Sequence, residues 1–173
     1  MNEKSLTSVY STEIAKVKLS KVFAESIPLV DITNNLTDIS RVALAAMCDG
    51  KTITSSGNNV SADFEVTRAP AIADSLINDF NLPITRERVE TISGTGNKAS
   101  QSVYYISDDD LNELLNDPEG VLSKNKTLNE MKAWGRTQRD LKRLVQQFGA
   151  DEVISCINQL SSSNDDSPSV KAG

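Results

Sequence analysis

Apolar residues recur at helical spacing in two central segments of the chain, and the clearer of the two follows Thr67. From Ala69 to Phe80 they fall at i, i+3, i+4, i+7, i+8 and i+11, which predicts an amphipathic helix capped by Thr67. A similar spacing follows Thr37 and stops before Gly50, a residue type that commonly ends helices. The pattern therefore predicts two helices, each burying one face.

A β-hairpin is predicted directly after the second helix. Residues 84–92 are rich in Thr, Ile and Val, residues 93–98 carry two glycines and an asparagine, and residues 101–106 are again β-branched and aromatic. Two helices followed by a hairpin with basic residues are typical of a winged helix-turn-helix domain, which lays one helix in the major groove.

Weaker signals precede and separate these elements. Residues 1–36 are expected to form a partly ordered arm with one helix around 12–25, because Pro28 interrupts any longer element. Residues 51–54 are expected to be a short first strand. Ser61 is expected to cap a short helix before the second main helix.

The C-terminal part returns to helical spacing. A helix capped by Ser107 is predicted to end at Pro118, which with a nearby glycine marks a linker. Apolar stripes then predict a helix over 127–148 and another beginning at Asp151. Residues 161–173 are Ser, Asn, Asp and Pro with almost nothing to bury, so a disordered tail is expected.

These elements predict a mainly α fold with a β-hairpin, in which a winged helix-turn-helix core is followed by a C-terminal helical pair. The chain has 173 residues, of which 38% are hydrophobic and 5% aromatic, enough for one modest core plus appendages. The expected divisions are the arm 1–36, the winged helix-turn-helix domain 37–118, the C-terminal helices 119–160 for dimerisation or partner binding, and the tail 161–173.

Composition narrows the chemistry. The chain has no histidine, which excludes Ser-His-Asp and Cys-His nucleophile systems and His-ligated metal sites. Cys48 and Cys156 lack metal-binding spacing and are expected to be buried free thiols in a reducing cytosol. The run Asp108–Asp110 most simply favours a helix N-terminus, with a metal site as the alternative. We therefore expect a protein without enzyme activity, cofactor or metal. We also expect no membrane segment and a cytoplasmic location.

Net charge is −6, which counts against DNA binding because Lys and Arg neutralise phosphates. The charge is segregated, however. Residues 124–143 hold seven cations and two carboxylates, so a secondary basic face is expected there, formed by Lys132, Arg136, Arg139, Lys142 and Arg143. A solvated helix face beside a partner-binding stripe is an equal alternative, and the last two helices could also pair as a homodimer. Trp134 could stack on a base or pack.

The candidate contacts with double-stranded DNA come from the second helix and the hairpin. The helix would present Arg68 to guanine, while hydroxyls bond bases or phosphates; Asp74 and Asp79 would repel the backbone. The alternative is an amphipathic helix that only packs a small domain. The hairpin cations could approach the sugar-phosphate backbone through a Gly-rich tip, whereas a nucleotide site is weakly supported because no helix follows the turn. The proposed contacts are Thr67, Arg68, Ala71, Ser75, Arg86, Arg88 and Lys98.

The middle of the chain, residues 38–107, resembles phage and prophage helix-turn-helix proteins. The motifs that carry the resemblance are Ile53-Thr54, Val66-Thr67-Arg68-Ala69, Leu82-Pro83-Ile84-Thr85-Arg86-Glu87-Arg88 and Val103-Tyr104-Tyr105-Ile106. The resemblance implies a small winged helix-turn-helix serving phage transcription or replication in the host cytoplasm, with Arg68 on the recognition helix and Arg86 and Arg88 on the wing. Residues 55–61 look inserted, and Pro70 and Asp74 depart from the pattern.

The sequence thus predicts a non-enzymatic DNA-binding protein, phage-encoded, with a regulatory or replication-accessory role. The alternative is a protein–protein adaptor or inhibitor that uses the winged-helix scaffold to bind a transcription or replication protein. Its support is the acidic balance of the chain.

Overall fold

A computed structural model describes residues 6–55, 60–93 and 95–164. The chain divides into two compact units, Met1–Asn129 and Glu130–Gly173, and each is considered by itself. The fold is mainly helical with a small four-stranded sheet, in agreement with the predicted mainly α class with a hairpin. The boundary falls later than the one predicted at residues 118–119.

Short polar caps begin most helices of the first unit. Ser11, Ser26, Thr37 and Ser107 each accept a hydrogen bond from the backbone N–H three residues later, as N-cap residues do. Ser107 caps its helix as the sequence predicts, and Thr37 caps the helix predicted to follow it. The helices are α1 Leu6–Val9, α2 Thr12–Val22, α3 Ile27–Asn35, α4 Asp38–Met47, α5 Ala69–Asn78, α6 Asp108–Asn116 and α7, which begins at Pro118.

Helix α4 lies at the centre of the core, with every residue from Ser40 to Met47 buried. Its Arg41 is also buried, and the guanidinium donates to the carbonyls of Thr33 at 3.1 Å and Leu36 at 2.8 Å. Asp38 lies 2.7 Å from the same guanidinium. These partners satisfy a cation that would otherwise be costly to bury, and they join the end of α3 to α4.

The prediction of a loosely held arm over residues 1–36 is wrong for the described part of it. Helices α1, α2 and α3 supply core side chains, including Leu19, Phe23 and Leu29, each at most 1% exposed. Pro28 does not interrupt α3, since it lies in the first turn, where no N–H is needed. The N-terminal helices are therefore part of the core.

Four strands form one sheet in the order β2-β1-β4-β3. Strand β1 (Ile53–Thr54) runs parallel to β2 (Phe64–Glu65) and antiparallel to β4 (Lys98–Tyr105). Strand β3 (Thr85–Ile92) forms a hairpin with β4 along its whole length. The short first strand and the hairpin agree with the sequence predictions, and Lys98 is the first residue of β4 rather than part of the turn.

The helix predicted to follow Ser61 is wrong, because β2 lies there instead. Phe64 and Val66 are buried while Glu65 is exposed, an alternation with the period of a strand. The Asp63 carboxylate holds this segment against the chain before β1, since it accepts from the Thr52 N–H at 2.9 Å and the Thr52 hydroxyl at 3.0 Å. Partial burial raises the pKa of Asp63, but together with the nearby Lys51 these hydrogen bonds lower it by more, so the net pKa lies below the usual value.

A second polar cluster fastens α2 to the end of α4. Asp49 forms an ion pair with Lys18 and accepts a hydrogen bond from the Tyr10 hydroxyl at 2.8 Å. Partial burial raises the pKa of Asp49, but these two partners lower it by a larger amount. The net pKa therefore lies below the usual value. Burial and the Asp49 charge raise the pKa of Tyr10 to about 12.

The linker predicted at Pro118 is also wrong. Helix α7 runs from Pro118 to Phe148 without a break, because proline fits the first helical turn and the Asp117 carboxylate accepts from the Gly120 N–H at 3.0 Å. Its residues from Glu130 onward belong to the second unit, together with α8 (Ala150–Asn164). Gly149, with φ 88°, separates the two helices, as the sequence predicts.

The predicted tail falls partly inside α8. Residues 161–164 continue that helix, and the rest of the tail lies outside the described residues. The thiols also differ from the expectation that both are buried. Cys48 is largely enclosed, and burial raises its pKa to about 12, whereas Cys156 is exposed.

Candidate nucleic-acid interface

Strand register separates the charges of the hairpin onto two faces. Arg86 lies opposite Tyr104, Arg88 opposite Ser102, and Ile92 opposite Lys98. Directly opposed residues share a face, and residues two apart along a strand share it too. All three cations therefore lie on one face, the basic hairpin face, defined by Arg86, Arg88 and Lys98.

Each face of the hairpin also carries one carboxylate. Glu90 lies opposite Ser100 on the basic hairpin face, whereas Glu87 lies opposite Val103 on the other face and accepts a hydrogen bond from Tyr105 at 3.4 Å. One face thus has three cations and one carboxylate, and the other has one carboxylate and no cation. Alternation along β3 separates four of these five charges, whereas the face of Lys98 depends on the register between the two strands.

The basic hairpin face is the one turned toward the helices. Ile53 and Tyr104 lie on it, and both are fully buried in the helical core. Helix α5 packs against β1 and β4 at this base. Farther out on this face, Arg88, Glu90, Ile92, Lys98 and Ser100 are exposed. The helices therefore cover the base of the face and leave its outer half open.

Arg86 is held at the junction between the covered and open halves. Its Nε donates to the Ser102 hydroxyl at 2.9 Å, and its guanidinium lies 5.9 Å from the ring centroid of Tyr104, within the range of a cation–π contact. Among the described residues, Arg86, Arg88 and Lys98 form no ion pair. Their charges are thus available to an external anion.

The hairpin tip is closed by its own hydrogen bonds. The Ser93 N–H donates to the Asn97 carbonyl and the Gly96 N–H to the Ser93 carbonyl, both at 2.8 Å. Gly96 has a φ of 81°, a conformation that suits glycine. The other glycine of the predicted Gly-rich tip, Gly94, lies outside the described residues.

Arg68, rather than Thr67, occupies the N-cap of α5, so the prediction of a Thr67 cap is wrong. Arg68 has a φ of 69° and makes no side-chain cap, while Thr67 lies in the turn before it. Both side chains are exposed, as is Ala71 one turn along the helix. The structure therefore exposes three of the four predicted groove residues.

The fourth predicted residue, Ser75, is already engaged. It is half-buried, and its hydroxyl donates to the Asp79 carboxylate at 2.7 Å. Asp74 is exposed beside it. Beyond its first turn, the outward side of α5 is therefore acidic, which leaves Arg68 and Ala71 as the part of this helix compatible with a phosphate backbone.

The secondary basic face lies in the second unit. Its five residues are exposed positions of α7, and none forms an ion pair within the described part of the chain. Lys124, earlier on α7, differs because Glu113 lies 3.4 Å from its ammonium group. The residues concerned are Lys132, Arg136, Arg139, Lys142 and Arg143.

Comparison with protein-family models, with curated proteins and with solved structures finds no match for this chain. Among the described residues, no helix combines the length and hydropathy needed to cross a bilayer.

Proposed function

We propose that this chain is a non-enzymatic, double-stranded DNA-binding protein with a winged helix-turn-helix core. The observation that carries the proposal is the basic hairpin face, on which Arg86, Arg88 and Lys98 are displayed together with no ion-pair partner among the described residues. Cations on one face can neutralise consecutive phosphates, whereas cations scattered around a molecule cannot.

The order of elements supports the winged-helix part of the proposal. Helix α4, strand β1, helix α5 and the β3–β4 hairpin follow one another, and β1 pairs with the last strand. A hairpin that extends beyond the helix it packs against is what a wing requires. Strand β2 is an addition to that plan, since it lies where the sequence predicts a helix.

In this proposal the hairpin supplies affinity and α5 supplies limited sequence preference. Arg86, Arg88 and Lys98 would contact the backbone, and Arg68 a base edge in the groove. Because Asp74 and Asp79 make the rest of the helix acidic, base contacts are confined to its first turn. A regulatory or replication-accessory role in phage follows from the resemblance of the central motifs.

A salt titration on random duplex DNA tests the proposal. Binding that weakens steeply between 50 and 200 mM salt is expected of a protein held by several phosphate contacts. Arg68→Ala should flatten the difference between preferred and random sequences. An equal loss on every sequence would contradict the base-reading role of Arg68, and no binding at low salt would contradict the function itself.

The second candidate function is a protein–protein adaptor or inhibitor on the same scaffold. The carboxylates Asp74 and Asp79 on the outward side of α5 favour it, because they repel a phosphate backbone but attract a basic protein surface. In that case, Asp74→Asn would weaken binding of a protein partner, and the hairpin substitutions would not.

A further inference from the structure

Helix α7 carries an unpaired apolar seam in its second-unit portion. Six positions follow one another at alternating intervals of three and four residues, the spacing of heptad positions a and d. They are Met131, Trp134, Gln138, Leu141, Val145 and Phe148, and are called the α7 seam below. Its five apolar members expose between 36% and 66% of their surface.

We infer that a second copy of this chain covers the α7 seam, in a parallel two-stranded coiled coil. This inference does not rest on the proposed function. Although α8 follows α7 after Gly149 alone, the apolar residues of the seam stay exposed. An apolar stripe of this length on an exposed helix is unusual unless a partner buries it.

The residue types along the seam favour two parallel strands. In this register the a positions are Met131, Gln138 and Val145, and the d positions are Trp134, Leu141 and Phe148, so Val145 at a and Leu141 at d are the pair relevant here. A β-branched residue at a with leucine at d favours parallel dimers, and a single polar a residue sets their register. In a parallel pair each Gln138 meets the other Gln138, so that the two amides can bond to each other.

An antiparallel pair would satisfy the same residues less well. It would bring the Gln138 amide level with an apolar d residue, leaving donors and acceptors without partners. Parallel pairing also avoids like-charge contacts at the flanks, because Glu130 would lie opposite Gly135 and Lys142 opposite Thr137.

The apolar area is sufficient for a stable pair. Together with Leu144 at the edge of the seam, the apolar residues expose roughly 600 Å² on each copy, or about 1,200 Å² in a pair, the lower end of specific interfaces. Apolar residues of α8 are also exposed, namely Ile154, Ile157 and Leu160, and can add to this area.

Charge placement agrees with a covered seam. By heptad position, Lys132, Arg136, Arg139 and Arg143 lie on the side of α7 away from the seam, and Lys142 flanks it. Pairing would therefore bury the apolar side without burying these cations. Each copy would then carry its secondary basic face outward.

Sedimentation equilibrium of the full chain tests the pairing. The wild-type chain is expected to be dimeric, and Leu141→Glu should weaken association on the order of 100-fold or more, since it places two carboxylates in the seam. The matched control is Ala133→Glu, which adds the same charge at an outward position and should leave association unchanged. A wild-type chain that stays monomeric at high concentration would overturn the inference, as would equal effects of the two substitutions.

Gln138→Val removes a polar residue from the seam and should tighten the dimer about 10-fold. Because misfolding would not strengthen association, this variant distinguishes an effect on the seam from a loss of fold. Orientation is tested by Met131→Cys in a Cys156→Ser background. Parallel copies bring the two new thiols within disulfide reach, whereas antiparallel copies separate them by roughly 25 Å along the helix. A dimer that does not cross-link on mild oxidation would overturn the parallel arrangement.

Discussion

The two glutamates of β3 offer a matched pair for testing whether the basic hairpin face meets DNA. Glu87 and Glu90 lie on the same strand, both exposed, but on opposite faces of the hairpin. Replacing either with glutamine removes the same charge at nearly the same place in the sequence. They differ in face and in the hydrogen bond that Glu87 accepts from Tyr105, whereas the charge removed is the same, so net charge cannot explain a difference in their effects.

The magnitudes follow from phosphate electrostatics. A carboxylate about 8 Å from a phosphate in water repels it by about 0.5 kcal/mol, so Glu90→Gln should tighten binding about twofold and Glu87→Gln should not. Each phosphate contact contributes about 0.9 to the slope of log K against log salt, a factor of about 3.5 between 50 and 200 mM. Arg88→Ala and Lys98→Ala should each lower the slope by about 0.9.

Fluorescence anisotropy with a labelled random duplex at several salt concentrations measures both quantities. The double variant Arg88→Ala/Lys98→Ala should lose about 1.8 units of slope if the contacts act independently. Unchanged unfolding curves would show that the variants keep their fold. Equal effects of Glu87→Gln and Glu90→Gln would refute the reasoning, because a contact through one face requires them to differ.

Three further predictions concern stability, each measured by urea unfolding. Leu29→Ala should cost about 2–5 kcal/mol, because the side chain is fully buried; a negligible cost would mean that the N-terminal helices are not part of the core. Tyr104→Phe should leave stability unchanged or raise it by about 1 kcal/mol, since the buried hydroxyl has no partner among the described residues, and a loss would contradict this. Asp49→Asn should cost about 1 kcal/mol at pH 7. Because the folded pKa of Asp49 is depressed, its contribution is present above its unfolded pKa and disappears as pH falls through the folded pKa. The cost of the substitution should therefore shrink as pH is lowered below the unfolded pKa, and a cost that does not change with pH would be inconsistent with it.

The spacing of apolar residues is sufficient to predict the elements that bury one face and expose the other. Helix α5 is of this kind, because its apolar residues recur at helical spacing. The hairpin is predicted instead from strand-forming residue types on both sides of a Gly-containing turn. Two prolines misled the prediction in the same way. As residue types, Pro28 and Pro118 predict breaks, but both lie in first turns, where proline is compatible with a helix.

The packing of the N-terminal helices and the formation of β2 depend on contacts between residues distant in sequence, which the local apolar pattern does not reveal. Leu19 and Phe23 pack into a core built around α4, and nothing near α2 in the sequence reveals that partner. Strand β2 likewise depends on bonds between Asp63 and Thr52. In the candidate site, strand alternation places Arg86 and Arg88 on one face, but the face of Lys98 depends on the register across the turn.

The burial of Tyr104 connects the core of the first unit to the charges it displays. Lys98 and Tyr104 lie six residues apart on β4, so they share a face, and the core requires Tyr104 to point toward the helices. A slip of the β4 strand by one residue would expose Tyr104 and turn Lys98 away from Arg86 and Arg88. Apolar packing at the base of the sheet thus fixes the strand register and with it the face on which the hairpin cations lie. A chain with a net charge of −6 can therefore keep a locally basic face, because strand register rather than overall composition decides which charges share that face.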